Sequence, residues 1–155
     1  MKRWTAFVLL VFALQFGWEM MQAGWFASMK GLPFWSATLR CLHATAGDLV
    51  ITAIAFVIAA LVARRRHWPV SPHLSVAAPV FIVIGLATTA AYEVFAIATG
   101  KWRYDARMPT IFGVGLLPLL QWLVIPAAEI LFFRLLWKWQ WLDPKLSTGT
   151  PSPWS

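Results

Sequence analysis

Residues 37–63, ATLRCLHATAGDLVITAIAFVIAALVA, form an apolar stretch whose only acidic residue is Asp48. A helix of about 20 residues crosses the ~30 Å hydrocarbon layer of a bilayer, so this stretch is long enough to span it. Three further stretches share its character, and none of the four has the full polar face of an amphipathic helix in a soluble protein. The sequence therefore predicts an all-α membrane protein, a four-transmembrane-helix bundle with helices at residues 4–26, 37–63, 76–99 and 110–137.

Helix-breaking connections separate these stretches, with the sequences GLP, WPVSP and GKWRYDARMP. Residues 1–142 are predicted to form one transmembrane domain, and residues 143–155, which include STGTPSPW, a disordered C-terminal tail. The first stretch begins like a signal peptide but continues past Glu19 without a small-residue cleavage site. A retained first helix is therefore expected, and cleavage is the alternative.

Composition places most of the chain in lipid. Of 155 residues, 60% are hydrophobic and 12% are charged, and the mean hydropathy is +0.67. The hydrophobic share is higher and the charged share lower than in soluble domains. The net charge of +7 does not indicate nucleic-acid binding, because the charges cluster at the ends of the apolar stretches. The single cysteine, Cys41, excludes a disulfide within the chain and a multi-cysteine metal site.

The distribution of Lys and Arg predicts the orientation of the helices, because cytoplasmic loops carry an excess of these residues. Eight of the 13 fall on the side of the termini: Lys2, Arg3, Arg64, Arg65, Arg66, Arg134, Lys138 and Lys145. The other five fall on the opposite side: Lys30, Arg40, Lys101, Arg103 and Arg107. Both termini are therefore expected in the cytoplasm.

Three acidic residues, Glu19, Asp48 and Glu93, lie in three different predicted helices. A charged side chain in the hydrocarbon layer costs ~2.5–3.5 kcal/mol even on the scale derived from insertion experiments. All three fall toward the outer half of the membrane, where this cost is lower if they face one another or a wet cavity. We predict that they line a pocket open to the outer side and act as its catalytic acid–base groups.

Polar and aromatic residues near these acids extend the predicted pocket. Gln15, Trp18 and Gln22 share one helical stripe with Glu19, at spacings of i, i+3, i+4 and i+7. The predicted ligand-binding residues within the helices are Gln15, Trp18, Gln22, Thr45, Gln121 and Trp122. For the glutamines and threonines, hydrogen bonding between helices, worth roughly 0.6–2 kcal/mol each, is the favoured alternative.

The loop sequence GKWRYDARMP gathers basic and aromatic residues above the predicted pocket. Its predicted ligand-binding residues are Trp102, Arg103, Tyr104 and Arg107. These side chains suit an anionic headgroup or the acidic end of a substrate. The alternative is an interfacial loop in which Asp105 pairs with Arg103 or Arg107.

The sequence contains no motif of a soluble enzyme or a metalloprotein. It has no zinc-type ligand spacing, no P-loop, no dinucleotide fingerprint and no Gly-x-Ser-x-Gly. Its three histidines do not suit a bis-histidine haem. We therefore expect no metal and no cofactor, and His43 is expected to be a hydrogen-bonded structural residue.

The stretches TGKWRYD, GVGLLP and PAAEILFF resemble, in this order, the membrane lycopene cyclase domain of the heterodimeric carotenoid cyclases. That family carries a Pro-x-Glu-Glu-x-x-Phe-Phe motif. In one register the matching residues are Pro126, Glu129, Phe132 and Phe133, and in another they are Pro118 and Gln121. Ala128 stands at the first acidic position of the first register. The resemblance implies protonation of a polyene by a buried acid, with the cation steadied by Trp18 and Trp122.

The whole chain also resembles small bacterial inner-membrane proteins of uncharacterised function that carry WE, HATAGD and RMP before GLLPLLQW. That resemblance implies a multi-pass protein of the bacterial inner (cytoplasmic) membrane and no particular activity.

Three functions remain open from the sequence. The first is acid–base cyclisation or isomerisation of an isoprenoid or carotenoid lipid by a lycopene-cyclase-like isomerase. The second is a non-catalytic lipid-, quinone- or pigment-binding assembly subunit of a membrane complex. The third is a small proton-coupled transporter, although no internal repeat is found. The first function calls for a homodimer or a partner membrane subunit, because this chain is shorter than such cyclases.

Overall fold

The computed structural model describes the backbone of residues 2–66, 68–70 and 74–142, and the side chains of residues 4–66, 68–70 and 76–137. The main elements are the helices α1 (Lys2–Gln22), α2 (Phe34–Ala63), α3 (Leu74–Ala98) and α4 (Leu116–Leu142). Two short strands, β1 (Thr110–Ile111) and β2 (Val114–Gly115), precede α4. Single 3-10 turns occupy Ala23–Trp25, Ala27–Met29 and Trp68–Val70. The predicted disordered tail, residues 143–155, lies outside the described residues.

The four helices form a closed ring in which each contacts the next along the chain and α4 contacts α1. Side-chain pairs show that α1 and α4 run in opposite directions, because Phe7 meets Phe133 whereas Gln22 meets Gln121. All four helices are long and apolar enough to cross a membrane. The predicted four-helix architecture is thereby confirmed. Insertion into a membrane and the cytoplasmic location of both termini stay predictions.

We call the end of the ring that holds the α1–α2 and α3–α4 connections the hairpin end. The end at which α1 begins, together with the α2–α3 connection, is called the opposite end. Helix α4 begins at Leu116 rather than at residue 110, because residues 110–115 form a β-hairpin at the hairpin end. The turn residues Phe112 and Gly113 have φ values of 51° and 82°, the left-handed conformation that a two-residue hairpin turn needs. The segment is apolar in composition, so the sequence does not indicate a turn in which a non-glycine residue adopts the left-handed conformation.

An aromatic core fills the opposite end of the ring. Phe7 of α1 lies edge-on to Phe133 of α4, with ring centroids 5.0 Å apart. Trp68, from the α2–α3 connection, is fully buried and contacts Phe56 of α2 and Phe81 of α3. Buried aromatic side chains each remove about 150–250 Å² from solvent. This core therefore brings side chains of all four helices together at one end, and the polar residues lie beyond it.

Helices α3 and α4 approach each other closely where the ring of Trp122 lies against Gly85. A Cβ atom at position 85 would lie 1.8 Å from a ring carbon of Trp122. Trp122 is almost fully buried, and Phe81 packs against the same ring at 6.4 Å. The ring therefore has no space to move aside, and packing alone requires a glycine at position 85.

We expect Gly85→Ala to lower the free energy of unfolding by about 1–3 kcal/mol, the usual cost of overpacking a core. Gly47→Ala in α2 is the matched control, because no atom lies within 4 Å of a Cβ at that position. Alanine is the better helix former, so the control should be neutral or more stable by up to about 1 kcal/mol. Thermal unfolding of both variants in one detergent measures the difference, and equal stabilities would contradict the contact between Trp122 and Gly85.

Candidate functional site

The side-chain amide of Gln121 connects three helices near the hairpin end. Its Nε2 donates to Oε1 of Gln15 on α1 at 2.7 Å and to Oδ2 of Asp48 on α2 at 2.9 Å. Its Oε1 accepts a hydrogen bond from Nε2 of Gln22 at 3.4 Å, and Gln15 in turn donates to Thr52 at 3.4 Å. Gln121 is only 2% exposed. The amide thus uses both its donor and its acceptor groups inside the protein, as a buried polar group must.

The carboxyl groups of Glu19 and Asp48 belong to the same chain of hydrogen bonds as this amide. Gln22 donates to Oε1 of Glu19 at 2.6 Å and to Gln121 at 3.4 Å, and Gln121 donates to Asp48. The two glutamine amides therefore hold one carboxyl from α1 and one from α2 in a single cluster. We call Glu19 and Asp48 the acid pair.

The acid pair differs in exposure from the glutamines behind it. Glu19 and Asp48 are half-buried, whereas Gln15, Gln22 and Gln121 are buried. A molecule at the surface of the ring can therefore reach the carboxyl groups without displacing the glutamines. The structure brings the predicted residues Gln15, Glu19, Gln22, Asp48 and Gln121 together in one cluster.

Trp122 does not join this cluster, although the sequence predicts it in the same pocket as Gln121. Successive residues of a helix point about 100° apart. Because Gln121 faces α1 and α2, Trp122 faces α3 and packs on Gly85. A role of Trp122 in ligand binding stays a prediction. Trp18 is half-buried next to Glu19 in sequence, and its Nε1 has no hydrogen-bond partner among the described residues.

Thr45 is buried and His43 is exposed, although both lie on α2. The hydroxyl of Thr45 is buried and donates to the carbonyl oxygen of Cys41 in its own helix at 2.8 Å. Its donor is therefore already used within α2, and a role in ligand binding stays a prediction. The side chain of His43 is exposed on the same helix. That His43 is a hydrogen-bonded structural residue stays a prediction.

Glu93 is bound by the α3–α4 connection rather than by the other two acids. Its Oε2 accepts hydrogen bonds from the hydroxyl of Tyr104 and, at 3.2 Å, from Nε1 of Trp102. The Tyr104 oxygen accepts in turn from the backbone N–H of Gly115 at 2.8 Å. Burial, followed by the hydrogen bond to Glu93, raises the pKa of Tyr104 above its ordinary value. The hydrogen bonds of Glu93 are thus separate from those of Glu19 and Asp48, and the predicted three-acid pocket stays a prediction.

The two connections at the hairpin end are tied together by the segments 23–30 and 102–107, which we call the loop strap. The N–H of Ala27 donates to the carbonyl of Arg103 at 2.8 Å, and the N–H of Asp105 donates to the carbonyl of Trp25 at 2.9 Å. Asp105 forms ion pairs with Lys30 and Arg107. The loop strap therefore covers the hairpin end above the acid pair.

The ion pairs of the loop strap bear on the alternative that Asp105 pairs locally with an arginine of this loop. Hydrogen bonds from Arg107, and then from Lys30, hold the pKa of Asp105 well below its usual range. The pairing is therefore complete at any pH above about 4 and is lost only as the pH falls through the lower folded-state value. Arg107 also donates to the carbonyl of Gly24 at 3.2 Å. Local pairing of Asp105 with Arg107 is the arrangement found, and ligand binding by Arg103, whose side chain is exposed, stays a prediction.

We expect Arg107→Gln to loosen the loop strap, because it removes the hydrogen bonds to Asp105 and to the carbonyl of Gly24. Amide hydrogen exchange at Ala27 and Asp105 should become several-fold faster at neutral pH. Arg103→Gln is the matched control, since it removes an exposed guanidinium from the same loop and should leave these amides unchanged. Identical exchange in the two variants would mean that the Asp105 pairing does not hold the connections together.

Glu129 is a functional candidate that sequence patterns do not place. It is only 2% exposed, and neither carboxyl oxygen has a hydrogen-bond partner among the described residues. Aromatic side chains of the core surround it. The sequence offers two signals, an acidic residue in an apolar helix and the match of Glu129 to the second acid of the Pro-x-Glu-Glu-x-x-Phe-Phe motif. Its facing direction becomes evident only once α4 is placed in the ring.

Among the described residues, no group of three or more His, Cys, Asp or Glu side chains could hold a metal ion. Comparison with protein-family models, with curated proteins and with solved structures gives no match for this chain. The fold and the site therefore define the chain only by class, as a four-helix bundle with apolar helices and a buried acid–glutamine cluster. The resemblance to the lycopene cyclase domain stays a prediction that rests on the quoted residues.

Proposed function

We propose that the chain is an integral protein of the bacterial inner membrane, with both termini in the cytoplasm, whose acid pair exchanges protons with an isoprenoid or carotenoid lipid. The activity would be acid–base cyclisation or isomerisation. The observation that carries this proposal is the chain of glutamine amides that holds the carboxyl groups of Glu19 and Asp48 in one cluster. Two neighbouring carboxyl groups, one protonated and one ionised, supply an acid and a base at the same place.

A lipid substrate fits the surroundings of the acid pair better than a soluble one. Helices α1 and α2, which carry the pair, present large apolar side chains outward, among them Met21, Leu39 and Val50. The pair itself is half-buried. A lipid that diffuses within the bilayer therefore meets both the apolar surface and the carboxyl groups. Membrane acids that are not needed for function are rare because of their cost.

The chemistry follows from the two roles of the pair. Glu19, beside Trp18, is assigned as the donor, and Asp48, oriented by Gln121, is assigned as the base. Proton transfer to one carbon of a double bond forms a C–H bond, breaks the π bond and leaves a cation on the neighbouring carbon. A second double bond attacks this cation, and loss of a proton from an adjacent carbon to Asp48 restores a double bond. The proton remains on the pair, so the reaction consumes no oxidant or reductant.

Aromatic stabilisation of the cation falls to fewer residues than the sequence predicts. A cation is attracted to the face of an aromatic ring within about 6 Å. Trp122 packs on Gly85 and is therefore directed away from the pair. Trp18 is the remaining tryptophan of the predicted pocket. Trp18→Phe therefore tests the indole in this role while an aromatic ring is kept.

We expect Glu19→Gln and Asp48→Asn each to lower product formation by about two to four orders of magnitude, the usual share of general acid–base catalysis. Both changes keep the shape of the side chain and remove its acidic proton. Glu93→Gln is the comparison variant, because that carboxyl binds Tyr104 and Trp102, and its rate should stay within a few-fold of the parent. The measurement is turnover of lycopene and shorter linear isoprenoids in membranes that contain equal amounts of each variant. Undiminished turnover in both Glu19→Gln and Asp48→Asn would end the enzymatic proposal.

A second candidate, a non-catalytic lipid-, quinone- or pigment-binding subunit, is favoured by the hydrogen bonds of Gln121. An amide that is fully bonded between three helices is what interhelical stabilisation needs. In this case Glu19→Gln would be silent. Gln121→Leu would leave Gln15 and Asp48 without a donor and lower the stability of the bundle by about 1–3 kcal/mol. A homodimer or a partner membrane subunit belongs to either proposal.

Testing the second candidate needs a readout of binding as well as stability. Lipid extracted from the purified protein is quantified for the parent, Glu19→Gln and Gln121→Leu, beside thermal unfolding. Loss of a bound isoprenoid only in Gln121→Leu, with no turnover in any of the three, supports the binding subunit. Product formation by the parent protein excludes it.

A further inference from the structure

Glu129 lies on α4 about two turns beyond Gln121, toward the opposite end of the ring. A void of ≈ 10 Å³ lies beside it. The side chains that line this void with Glu129 include Phe7, Phe56, Trp68, Phe81 and Phe133. Every helix and the α2–α3 connection thus contribute to its walls. Pro69 and Ile130 complete the lining, so Glu129 and the indole of Trp68 bring the only polar groups among its side chains.

The two polar groups of this void are buried without partners. Both carboxyl oxygens of Glu129 and Nε1 of Trp68 lack a hydrogen bond among the described residues. Glu129 is 2% exposed and Trp68 is fully buried. An isolated carboxylate in such surroundings is strongly unfavourable, and a protonated, hydrogen-bonded carboxylic acid is the form that avoids this cost. An indole N–H at the same void needs an acceptor.

We propose that the void binds one water molecule that links Trp68 to Glu129, and that Glu129 holds a proton there. The void has about the size that one water requires, and it offers the water two to three polar partners. The N–H of Trp68 donates to the water. A protonated Glu129 donates its O–H to the water, and its carbonyl oxygen accepts a hydrogen bond from the water.

The side chains that line the void with Glu129 from α1, α2, α3 and the α2–α3 connection carry no titratable group. The acid pair lies nearer the hairpin end, whereas Trp68 lies at the opposite end. The proposed proton on Glu129 is therefore held in surroundings that differ from those of the acid pair.

This inference rests on the proposed function only for the use made of the proton. The water and the protonated acid can be detected without a lipid substrate. Failure of the turnover experiment would therefore leave this site untouched, and failure of the experiments below would leave the acid pair untouched.

The first experiment detects the water in purified protein in nanodiscs by infrared spectroscopy. Exchange of H₂¹⁶O for H₂¹⁸O shifts the O–H stretching band of an ordered, weakly bonded water. We expect this band in the parent protein and its loss in both Trp68→Phe and Glu129→Leu. Trp122→Phe is the matched control, because the Nε1 of Trp122 also lacks a partner among the described residues but is not at this void. A water band that survives in both test variants, or is absent from the parent, overturns the water site.

The second experiment tests the proton on Glu129. The carbonyl stretching band of a protonated carboxylic acid should be present at neutral pH and absent from Glu129→Gln. The same band should stay in place in Glu93→Gln, because that carboxyl binds Trp102 and Tyr104. An unchanged spectrum in Glu129→Gln would show that Glu129 holds no proton.

Folding of the variants is controlled by thermal unfolding. Glu129→Leu removes a buried acid without a protein partner, so its melting temperature should rise by about 2–4 °C. Glu129→Gln is close in shape to the protonated acid and should unfold within a few degrees of the parent.

Discussion

The hydrogen bonds of one side chain, Gln121, fix the position of α4 against α1 and α2. An amide in an apolar environment is unfavourable unless its donors and its acceptor are all used. Here the amide donates to Gln15 and Asp48 and accepts from Gln22. A rotation of α4 about its axis would break these bonds together. The facing direction of every other residue of α4 follows from this constraint, including Trp122 against Gly85 and Glu129 within the aromatic core.

The bundle divides into two layers with different physical origins. At the opposite end, aromatic rings from all four helices and the α2–α3 connection exclude polar groups almost completely. Nearer the hairpin end, polar groups satisfy one another in pairs and chains. The loop strap then closes the end, with Asp105 held between Lys30 and Arg107. Each buried acid therefore differs in its surroundings. Glu93 is bonded to a loop, Glu19 and Asp48 to glutamine amides, and Glu129 to no described residue.

Helix number and part of the site follow from the sequence because they depend on local patterns. The length of each apolar stretch predicts four helices, and the spacing of Gln15, Glu19 and Gln22 predicts their common face. The β-hairpin before α4 is not predictable in this way, because Phe112 adopts a left-handed conformation that its composition does not indicate. The pairing of Glu93 with Tyr104 depends on how a loop folds back on the bundle. Facing directions on α4 depend on its neighbours, which no single-helix pattern contains.

The difference between the acid pair and Glu129 bears on what a buried acid is for. Hydrogen bonds from Gln22 and Gln121 offset part of the cost of burying Glu19 and Asp48, so stability alone could account for that cluster. No such offset exists for Glu129 among the described residues. A leucine at position 129 would fill similar space among aromatic rings without a buried polar group to satisfy. Glu129 is therefore expected to lower stability relative to leucine. A role in proton binding gives a physical reason for an acid at this position.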